Sequence, residues 1–414
     1  MMKSDNAVRH SPQRIEDLRL PGRVRKETSA RAADLRLIAK APSGFLDTTH
    51  FDTVRFPPPD WAIEAFTKFA MDGEMAYSGY RGHPHVLDEV ARNITTVLHT
   101  PVEARRNLIL TPGTQAGLFG ALAALTSPGQ RVALGCPEYL FSERMLRFLG
   151  AEIAAVPIET FGRETPSPDL GVLETEFRDR GTRLFLFSHP NNPTGAVYSQ
   201  ETISSIADLA VRYDVTVIVD ELYCRLLHGG HPFFHLRNEP GMAERTVTLL
   251  GPSKTESLSG YRLGVVVAPE PVIRSMEDML SITALRAPAY AQALLVHWLR
   301  DDQDWLAARI PAFTALRNLT QTKLAQLPWL RISMGAGTAY AWPDTSALGM
   351  TSDQISELFL TKAGVLVSPG YQFGEGCDAF FRVCYARDEA VWSDALDRMI
   401  DALDVEARQR GLAQ

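Results

Sequence analysis

The sequence is poor in cysteine and has no long apolar run. Its four cysteines, Cys136, Cys224, Cys377 and Cys384, include no Cys-x-x-Cys pair and have no histidine at zinc spacing. Neither a disulfide framework nor a structural metal is therefore indicated. A run of about 18 apolar residues is absent, and the N-terminus lacks the apolar segment of a signal peptide. We expect reduced thiols, no bound metal, and a cytoplasmic protein that does not enter a membrane.

Basic residues are not in excess either. Lys and Arg total 42 against 49 Asp and Glu, which gives a formal net charge of −7. A nucleic-acid groove needs a basic surface, so we expect a small-molecule partner instead. At 414 residues the chain exceeds the ~250–300 residues beyond which one core usually divides, and this length predicts two domains.

Apolar strand patterns alternate with helical patterns through the middle of the chain. RLFLFS, VTVIVD, TVTLLG and LGVVVA are such strands, and QETISSIADLAVRY is one of the helical stretches. The alternation predicts an α/β fold with a mainly parallel sheet and helices on both faces. We place an N-terminal arm at residues 1–45 and a large domain at 46–300. A smaller α+β domain follows at 301–414 and takes in part of the N-terminal segment.

Asn192, Asp220 and Lys254 fall at the carboxyl ends of predicted strands, where sites form in sheets of this kind. A desolvated lysine at a strand end loses its proton readily and can form a Schiff base with a carbonyl, although most strand-end lysines are solvated surface residues. An aspartate that ends an apolar strand requires a partner.

The segment NLILTPGTQAGLFGALAAL predicts a strand, a turn and a helix. Backbone N–H groups at a helix N-terminus, approached closely through glycine, bind anions. Gly113, Thr114 and Gln115 are the candidates for such a contact, and an ordinary strand-to-helix turn is the alternative. The spacing matches neither G-x-G-x-x-G nor the Walker A pattern, which argues against dinucleotides and nucleoside triphosphates.

Three motifs follow one another in a fixed order. Asn192 precedes Pro-Thr-Gly, Asp220-x-x-Tyr223 ends a strand, and Lys254 is followed eight residues later by Arg262 in Gly-Tyr-Arg-x-Gly. With this order, the chain from about Leu46 to the C-terminus resembles the class I/II aminotransferases of the aspartate aminotransferase superfamily, fold-type I pyridoxal-phosphate enzymes. The resemblance implies a large domain with a seven-stranded, mainly parallel sheet between helices, and a smaller α+β domain.

The resemblance implies pyridoxal 5'-phosphate as the cofactor, held through Lys254 as a Schiff base. Asp220 would keep the ring nitrogen protonated, and Asn192 and Tyr223 would donate hydrogen bonds to the phenolic oxygen. Tyr139 would stack on the ring. The cofactor phosphate would be held by Gly113, Thr114, Gln115 and Arg262.

Further residues are implied for the subunit interface and the substrate. Tyr77, with Tyr80 as its competitor, would reach the cofactor phosphate of a second subunit, which predicts a homodimer. Arg382 would clamp the substrate carboxylate with its planar fork, and a surface pair is its alternative. His50 stands where the family carries a glycine-rich substrate segment, and an ordinary loop histidine is its alternative.

The pattern departs from the family near the lysine. Gly251 replaces a serine whose hydroxyl binds phosphate, and Glu256-Ser257 replaces Tyr-Gly. Arg262 would then carry more of the phosphate binding, with Ser253 as a substitute for the missing hydroxyl.

The leading hypothesis is an aminotransferase that passes an amino group between an amino acid and a 2-oxo acid. The departures at Glu256-Ser257 and His50 motivate an alternative of the same fold, a specialised enzyme for elimination, cyclisation or oxidation of an amino acid. A non-catalytic binding module is a third hypothesis, opposed by the joint presence of Asp220, Lys254 and Arg382.

Overall fold

The structure is a computed structural model that describes residues 13–16, 18, 43–51, 56–72, 76–162 and 165–412. The predicted arm at residues 1–45 therefore lies almost entirely outside the described residues. Within it, the short helix α1 (Gln13–Glu16) places the Arg14 guanidinium 5.6 Å over the ring of Phe148.

Strands and helices are numbered in chain order. The strands are β1 (Leu46–Asp47), β2 (Leu108–Pro112), β3 (Arg131–Cys136), β4 (Glu152–Glu159), β5 (Ser167–Pro168), β6 (Leu184–Ser188), β7 (Thr216–Asp220), β8 (Thr246–Leu250), β9 (Leu263–Val267), β10 (Arg331–Ser333), β11 (Tyr340–Asp344), β12 (Val365–Leu366), β13 (Ser368–Pro369) and β14 (Phe381–Cys384). The helices after α1 are α2 (Trp61–Met71), α3 (Pro84–Leu98), α4 (Ala104–Asn107), α5 (Thr114–Leu125), α6 (Ser142–Phe148), α7 (Leu170–Arg178), α8 (Gln200–Arg212), α9 (Glu270–Ser281), α10 (Ala289–Gln292), α11 (Gln303–Leu324), α12 (Ser352–Leu358) and α13 (Glu389–Gln409).

The central sheet has the strand order β2-β9-β8-β7-β6-β3-β4-β5. Pairing is parallel from β8 through to β4, whereas β9 runs antiparallel to both of its neighbours, β8 and β2. Seven of the strands have five residues or more, and β5 adds a two-residue edge. The predicted α/β fold with a mainly parallel sheet is confirmed.

Alternate residues of the central strands pack into hydrophobic cores on opposite faces of the sheet. Phe185 and Phe187 of β6 pack with Phe177 of α7 and Ile203 of α8 on one face. Leu184 and Leu186 of the same strand pack on the other face, in the core that includes α5 and α9. Because helices cover both faces, every residue of β6 is buried, as its nearly continuous apolar sequence predicts.

The smaller sheet has the order β10-β11-β14-β13 and is antiparallel. It shares a core with α11 and α13, and Phe51 and Tyr223 from earlier in the chain belong to this core. Strand β1 pairs with β12, which brings Leu46 opposite Val365. The smaller α+β unit is thus present, while the predicted boundary at residue 300 stays a prediction.

The described helices contain none that has the length and apolar character needed to cross a membrane.

Candidate active site

A cavity of about 220 Å³ opens at the carboxyl edge of the central sheet. Asp220, the last residue of β7, is in register with Ser188, the last residue of β6. Six predicted site residues come to the cavity from the central sheet and its helices: Thr114, Gln115, Tyr139, Asn192, Asp220 and Lys254. His50, Tyr223 and Arg382 also line it. We call the surface of Asn192, Asp220 and Lys254 the central wall, and that of Tyr340 and Arg382 the outer wall.

Lys254 Nζ has no hydrogen-bond or ion-pair partner within the part of the chain that the structure describes. The residue follows the end of β8 in a turn where Ser257 N donates to Lys254 O. An amine held in a cavity without a competing partner is available for covalent chemistry and proton transfer.

Asp220 is half-buried in the same cavity lining as that amine. Its Oδ1 accepts a hydrogen bond from Leu222 N at 3.1 Å. Burial raises the pKa of Asp220 to about 6, because the charged carboxylate loses hydration, and Glu221 adds to this effect. The Leu222 N–H and the Lys254 charge act in the opposite direction. A cationic partner in the cavity would therefore stabilise this carboxylate strongly.

The N-terminus of α5 lies at one end of the cavity, and this end is suited to bind an anion. Gly113 precedes the helix with a φ of +85°, a value that glycine adopts readily, and Thr114 and Gln115 follow at the cavity. The first N–H groups of a helix have no intrahelical acceptor. Arg262 does not line the cavity, but its guanidinium packs so closely on Gly113 that a Cβ there would lie 2.3 Å from Nη2.

The glycine at 251 has a steric explanation. A Cβ at this position would lie 2.8 Å from Thr114 Oγ1 and 3.2 Å from Leu263 O. The Thr114 hydroxyl thus occupies the space into which a serine would project. Ser253, the expected substitute, directs its hydroxyl to Leu263 O at 3.5 Å and does not line the cavity.

Glu256 does not reach the cavity. It is fully buried, and one of its oxygens accepts a hydrogen bond from Arg225 Nη1. The same guanidinium contacts both oxygens of buried Asp302, at 3.0 and 2.8 Å. The departure at Glu256-Ser257 therefore builds an ion-pair cluster behind the Lys254 turn.

Glu138 orders the central wall, and it was not predicted from the sequence. This buried carboxylate accepts hydrogen bonds from Ser188 N at 2.7 Å and Tyr139 N at 2.6 Å. Ser188 Oγ in turn accepts from Asn192 N at 3.0 Å. Burial raises the pKa of Glu138 to about 8, against the effect of these donors. An acid directly after the strand that leads to Tyr139 was the available signal.

Tyr340 was also missed. Its hydroxyl lies 2.7 Å from that of Tyr223, and both residues line the cavity. The Arg382 guanidinium stacks 4.2 Å from the centre of the Tyr340 ring. Nothing in the sequence around Tyr340 identified this residue as part of the site.

Arg382 is buried and only partly satisfied. Its Nη1 donates to Asn192 Oδ1 at 2.8 Å, and Nη2 donates to Ser368 Oγ at 3.2 Å and to Thr49 O at 2.5 Å. The Nε atom is buried without a partner among the described residues. Arg382 thus joins the two walls and keeps donor capacity for a ligand carboxylate.

His50 and Tyr77 have different surroundings from the buried residues. His50 lines the cavity with a side chain that is 63% exposed, and its Nδ1 lies 3.4 Å from Asp47 Oδ2. Tyr77 is 82% exposed and does not line the cavity of its own chain. The Arg286 guanidinium lies between Tyr77 and Tyr80, at 4.5 and 4.7 Å from the two ring centres.

The cavity fits pyridoxal phosphate. Tyr139 supplies an aromatic face, Asp220 supplies a desolvated carboxylate for a ring cation, and the start of α5 supplies donors for a phosphate. The free amine of Lys254 belongs to the same lining.

Comparisons with known proteins agree with this reading of the site. The family described as aminotransferase class I and II matches residues 49–399. The chain is 29% identical over 341 residues to aromatic-amino-acid aminotransferase 2 of Thermococcus litoralis, covering 81% of this chain and 86% of that protein. It is 27% identical over 354 residues to the aspartate aminotransferase of Pyrococcus horikoshii, covering 85% and 89% of the two chains.

A solved structure extends the similarity to the fold. The crystal structure of an aspartate aminotransferase from Rhodobacter sphaeroides superposes with a TM-score of 0.85 at 35% identity, over 89% of this chain and 95% of that one. The family, enzyme class and cofactor predicted from the sequence are confirmed. The chain belongs to the aminotransferases of class I and II, which are enzymes that use pyridoxal phosphate.

Proposed function

We propose that Lys254 is the acid–base residue of an amino transfer between an amino acid and a 2-oxo acid. The observation that carries the proposal is the unpartnered Lys254 amine in a cavity that also holds Asp220 and Arg382. Lys254 Nζ takes the proton from the substrate Cα and returns it on the other side of the reaction. Its place in one lining with a carboxylate that favours cations and an arginine that binds anions suits this role.

Pyridoxal phosphate, when bound, supplies the carbon that accepts the amino group and a ring that withdraws electrons from the substrate Cα. Asp220 holds a proton on the ring nitrogen, since burial makes a lone carboxylate costly and a paired one favourable. Asn192 and Tyr223 donate hydrogen bonds towards the phenolic oxygen. Thr114, Gln115 and Arg262 bind the phosphate.

Arg382 binds the α-carboxylate of the amino acid. Its fork is held by Asn192 Oδ1 and Ser368 Oγ and by the Tyr340 ring, so that little side-chain entropy remains to be lost when the carboxylate enters. His50 at the cavity mouth contacts the substrate side chain. The ion-pair cluster of Glu256 lies behind the turn, and it therefore gives no support to an elimination or oxidation reaction.

The test is a screen of amino acids against 2-oxo acids with simultaneous measurement of amino-group transfer and ammonia release. Transfer without ammonia is the expected result. In parallel, borohydride reduction of the holoenzyme followed by peptide mapping should place the cofactor on Lys254. Ammonia as the main product, or a label on another lysine, would contradict the proposal.

We further propose that the active form is a homodimer in which Tyr77 completes the phosphate site of the partner. The 82% exposure of Tyr77 in the single chain supports this proposal. Tyr77→Phe should weaken cofactor binding, whereas Tyr80→Phe, on the other side of Arg286, is the matched control. A fully active monomer in sedimentation would exclude the cross-subunit role.

A further inference from the structure

Two thiols meet where the central sheet contacts the smaller sheet. Cys136 is the last residue of β3, and Cys377 lies in the segment between β13 and β14. Cys136 packs against the small core that contains Cys377. Both sulfurs also lie near one acceptor, Glu375 O, at 3.5 Å from Cys136 Sγ and 3.9 Å from Cys377 Sγ. The two side chains thus face each other.

The surroundings of this pair permit access and movement. Cys136 lines a second cavity, of about 560 Å³, on the far side of Tyr139 from the active site. The backbone beside Cys377 contains Gly374 and Gly376, both at positive φ, and no atom of the described residues lies within 4 Å of a Cβ built at Gly376. A small oxidant can therefore reach Cys136, and the glycine-flanked segment can adjust when the sulfurs approach bonding distance.

The two thiols differ in reactivity. The neighbouring Cys377 thiol lowers the pKa of Cys136 below its usual value. The neighbouring Cys136 sulfur and burial together raise the pKa of Cys377. A thiolate is the nucleophile in oxidation chemistry, so that Cys136 reacts first and Cys377 is the resolving thiol.

We propose that Cys136 and Cys377 form a redox site, at which a hydroperoxide converts the two thiols into a disulfide between the sheets. The Cys136 sulfur attacks one peroxide oxygen, the O–O bond breaks, and hydroxide leaves with a sulfenic acid on Cys136. The Cys377 sulfur then attacks the Cys136 sulfur, the S–O bond breaks, and the oxygen leaves as water. The two thiols lose two electrons, and hydrogen peroxide becomes two molecules of water.

The disulfide would restrain the active site. Cys136 precedes Tyr139 by three residues, and Glu138 N already donates to Phe373 O across the same contact at 2.9 Å. A covalent bond here fixes the smaller sheet relative to Tyr139. Movement between the two units is a common requirement for turnover in enzymes with such a cavity. Oxidation is therefore expected to slow the reaction reversibly.

The experiment uses full-length holoenzyme treated with hydrogen peroxide, followed by non-reducing peptide mapping and assay. The expected result is a Cys136–Cys377 linked peptide with turnover reduced about tenfold, as expected when closure limits the rate, and restored by a thiol reductant. Cys224→Ala, which removes a buried thiol elsewhere, should behave like the parent. Cys136→Ser and Cys377→Ser should each form no link and keep their turnover after peroxide.

Two variants, one from each end of the pair, keep the test valid if one of them folds poorly. The proposal is overturned if no linked peptide forms while other cysteines are oxidised. It is equally overturned if the linked protein turns over at the parental rate, or if the serine variants lose activity to peroxide as the parent does.

Discussion

The two walls of the cavity are assembled differently. On the central wall, Asn192, Asp220 and Lys254 each follow or end a strand of one sheet, and neighbouring strand ends bring them together. On the outer wall, Arg382 reaches Asn192 across 190 residues of sequence, and Tyr340 reaches Tyr223 across 117. The central wall holds the amine and the carboxylate, whereas the outer wall holds the anion-binding fork. We expect substitutions on the central wall to lower kcat and those on the outer wall to raise KM.

The largest effect is expected for Lys254→Ala on the central wall. Positioned proton transfer contributes about 10²–10⁴-fold to rate, so steady-state kcat should fall by at least about 10³-fold. Lys323→Ala is the control, because Lys323 of α11 forms an ion pair with Asp397 of α13 and does not line the cavity. The distance from Lys323 Nζ to Asp397 Oδ2 is 2.6 Å. A tenfold loss of kcat corresponds to about 1.4 kcal/mol of activation free energy. A smaller loss would contradict an acid–base role for Lys254.

Asp220→Asn should have the next largest effect. The substitution keeps the shape but removes the charge that holds the ring proton, which is expected to cost about 10²-fold in single-turnover rate. Cofactor content should fall much less than the rate. Asp214→Asn is the control, because Asp214 is an exposed residue before the start of β7 that pairs with Arg245. Rates within a few-fold of the parent would assign Asp220 a structural role only.

Arg382→Lys tests the outer wall. Lysine cannot reproduce the fork that contacts Asn192 and Ser368, and a lost charged hydrogen bond costs about 1.5–3 kcal/mol. KM for the amino acid should therefore rise about tenfold or more, with kcat within a few-fold. Arg331→Lys is the control, because Arg331 is an exposed arginine of the same smaller sheet that pairs with buried Asp344. A lower kcat at unchanged KM would contradict the expectation that the outer wall acts on KM and the central wall on kcat.

The smallest effect concerns Glu138, which binds Ser188 N with its carboxylate and Phe373 O with its own N–H. Its pKa rises from 4.5 to about 8 on folding. Between these values the folded carboxyl is protonated and the unfolded one is ionised, so that unfolding releases a proton. The contribution of Glu138 to the free energy of unfolding is therefore present at low pH. It is lost as the pH rises through the pKa that Glu138 has in the folded protein.

Glu138→Gln has no such proton to release. Its unfolding temperature should therefore decline less than that of the parent across this pH window, by a few °C in thermal scans. Glu143→Gln, at an accessible pair with Arg147, should follow the parent. Parallel curves for Glu138→Gln and the parent would mean that Glu138 is ionised in the folded protein throughout.

The difference between the walls also explains what sequence could predict. Apolar runs that end in Asp220 or precede Lys254 are local signals, and parallel pairing places such ends at one edge of the sheet. Tyr340 and Glu138 act through contacts with distant segments, which hydrophobic periodicity does not encode. Arg382 was identified only through the family resemblance. Gly251 was noted as a departure, but its reason, the position of the Thr114 hydroxyl, requires coordinates.

We infer that the reversed direction of β9 separates retention of the coenzyme from exchange of the substrate. Because β9 is antiparallel to β8, its first residue lies at the edge where β8 ends, and the connection from Leu250 to Leu263 leaves and re-enters the sheet there. Lys254 and Arg262 therefore belong to one loop that adjacent strands close. Partial opening of the smaller sheet would withdraw Arg382 and leave this loop intact. We therefore expect products to leave between the two half-reactions while the cofactor stays bound.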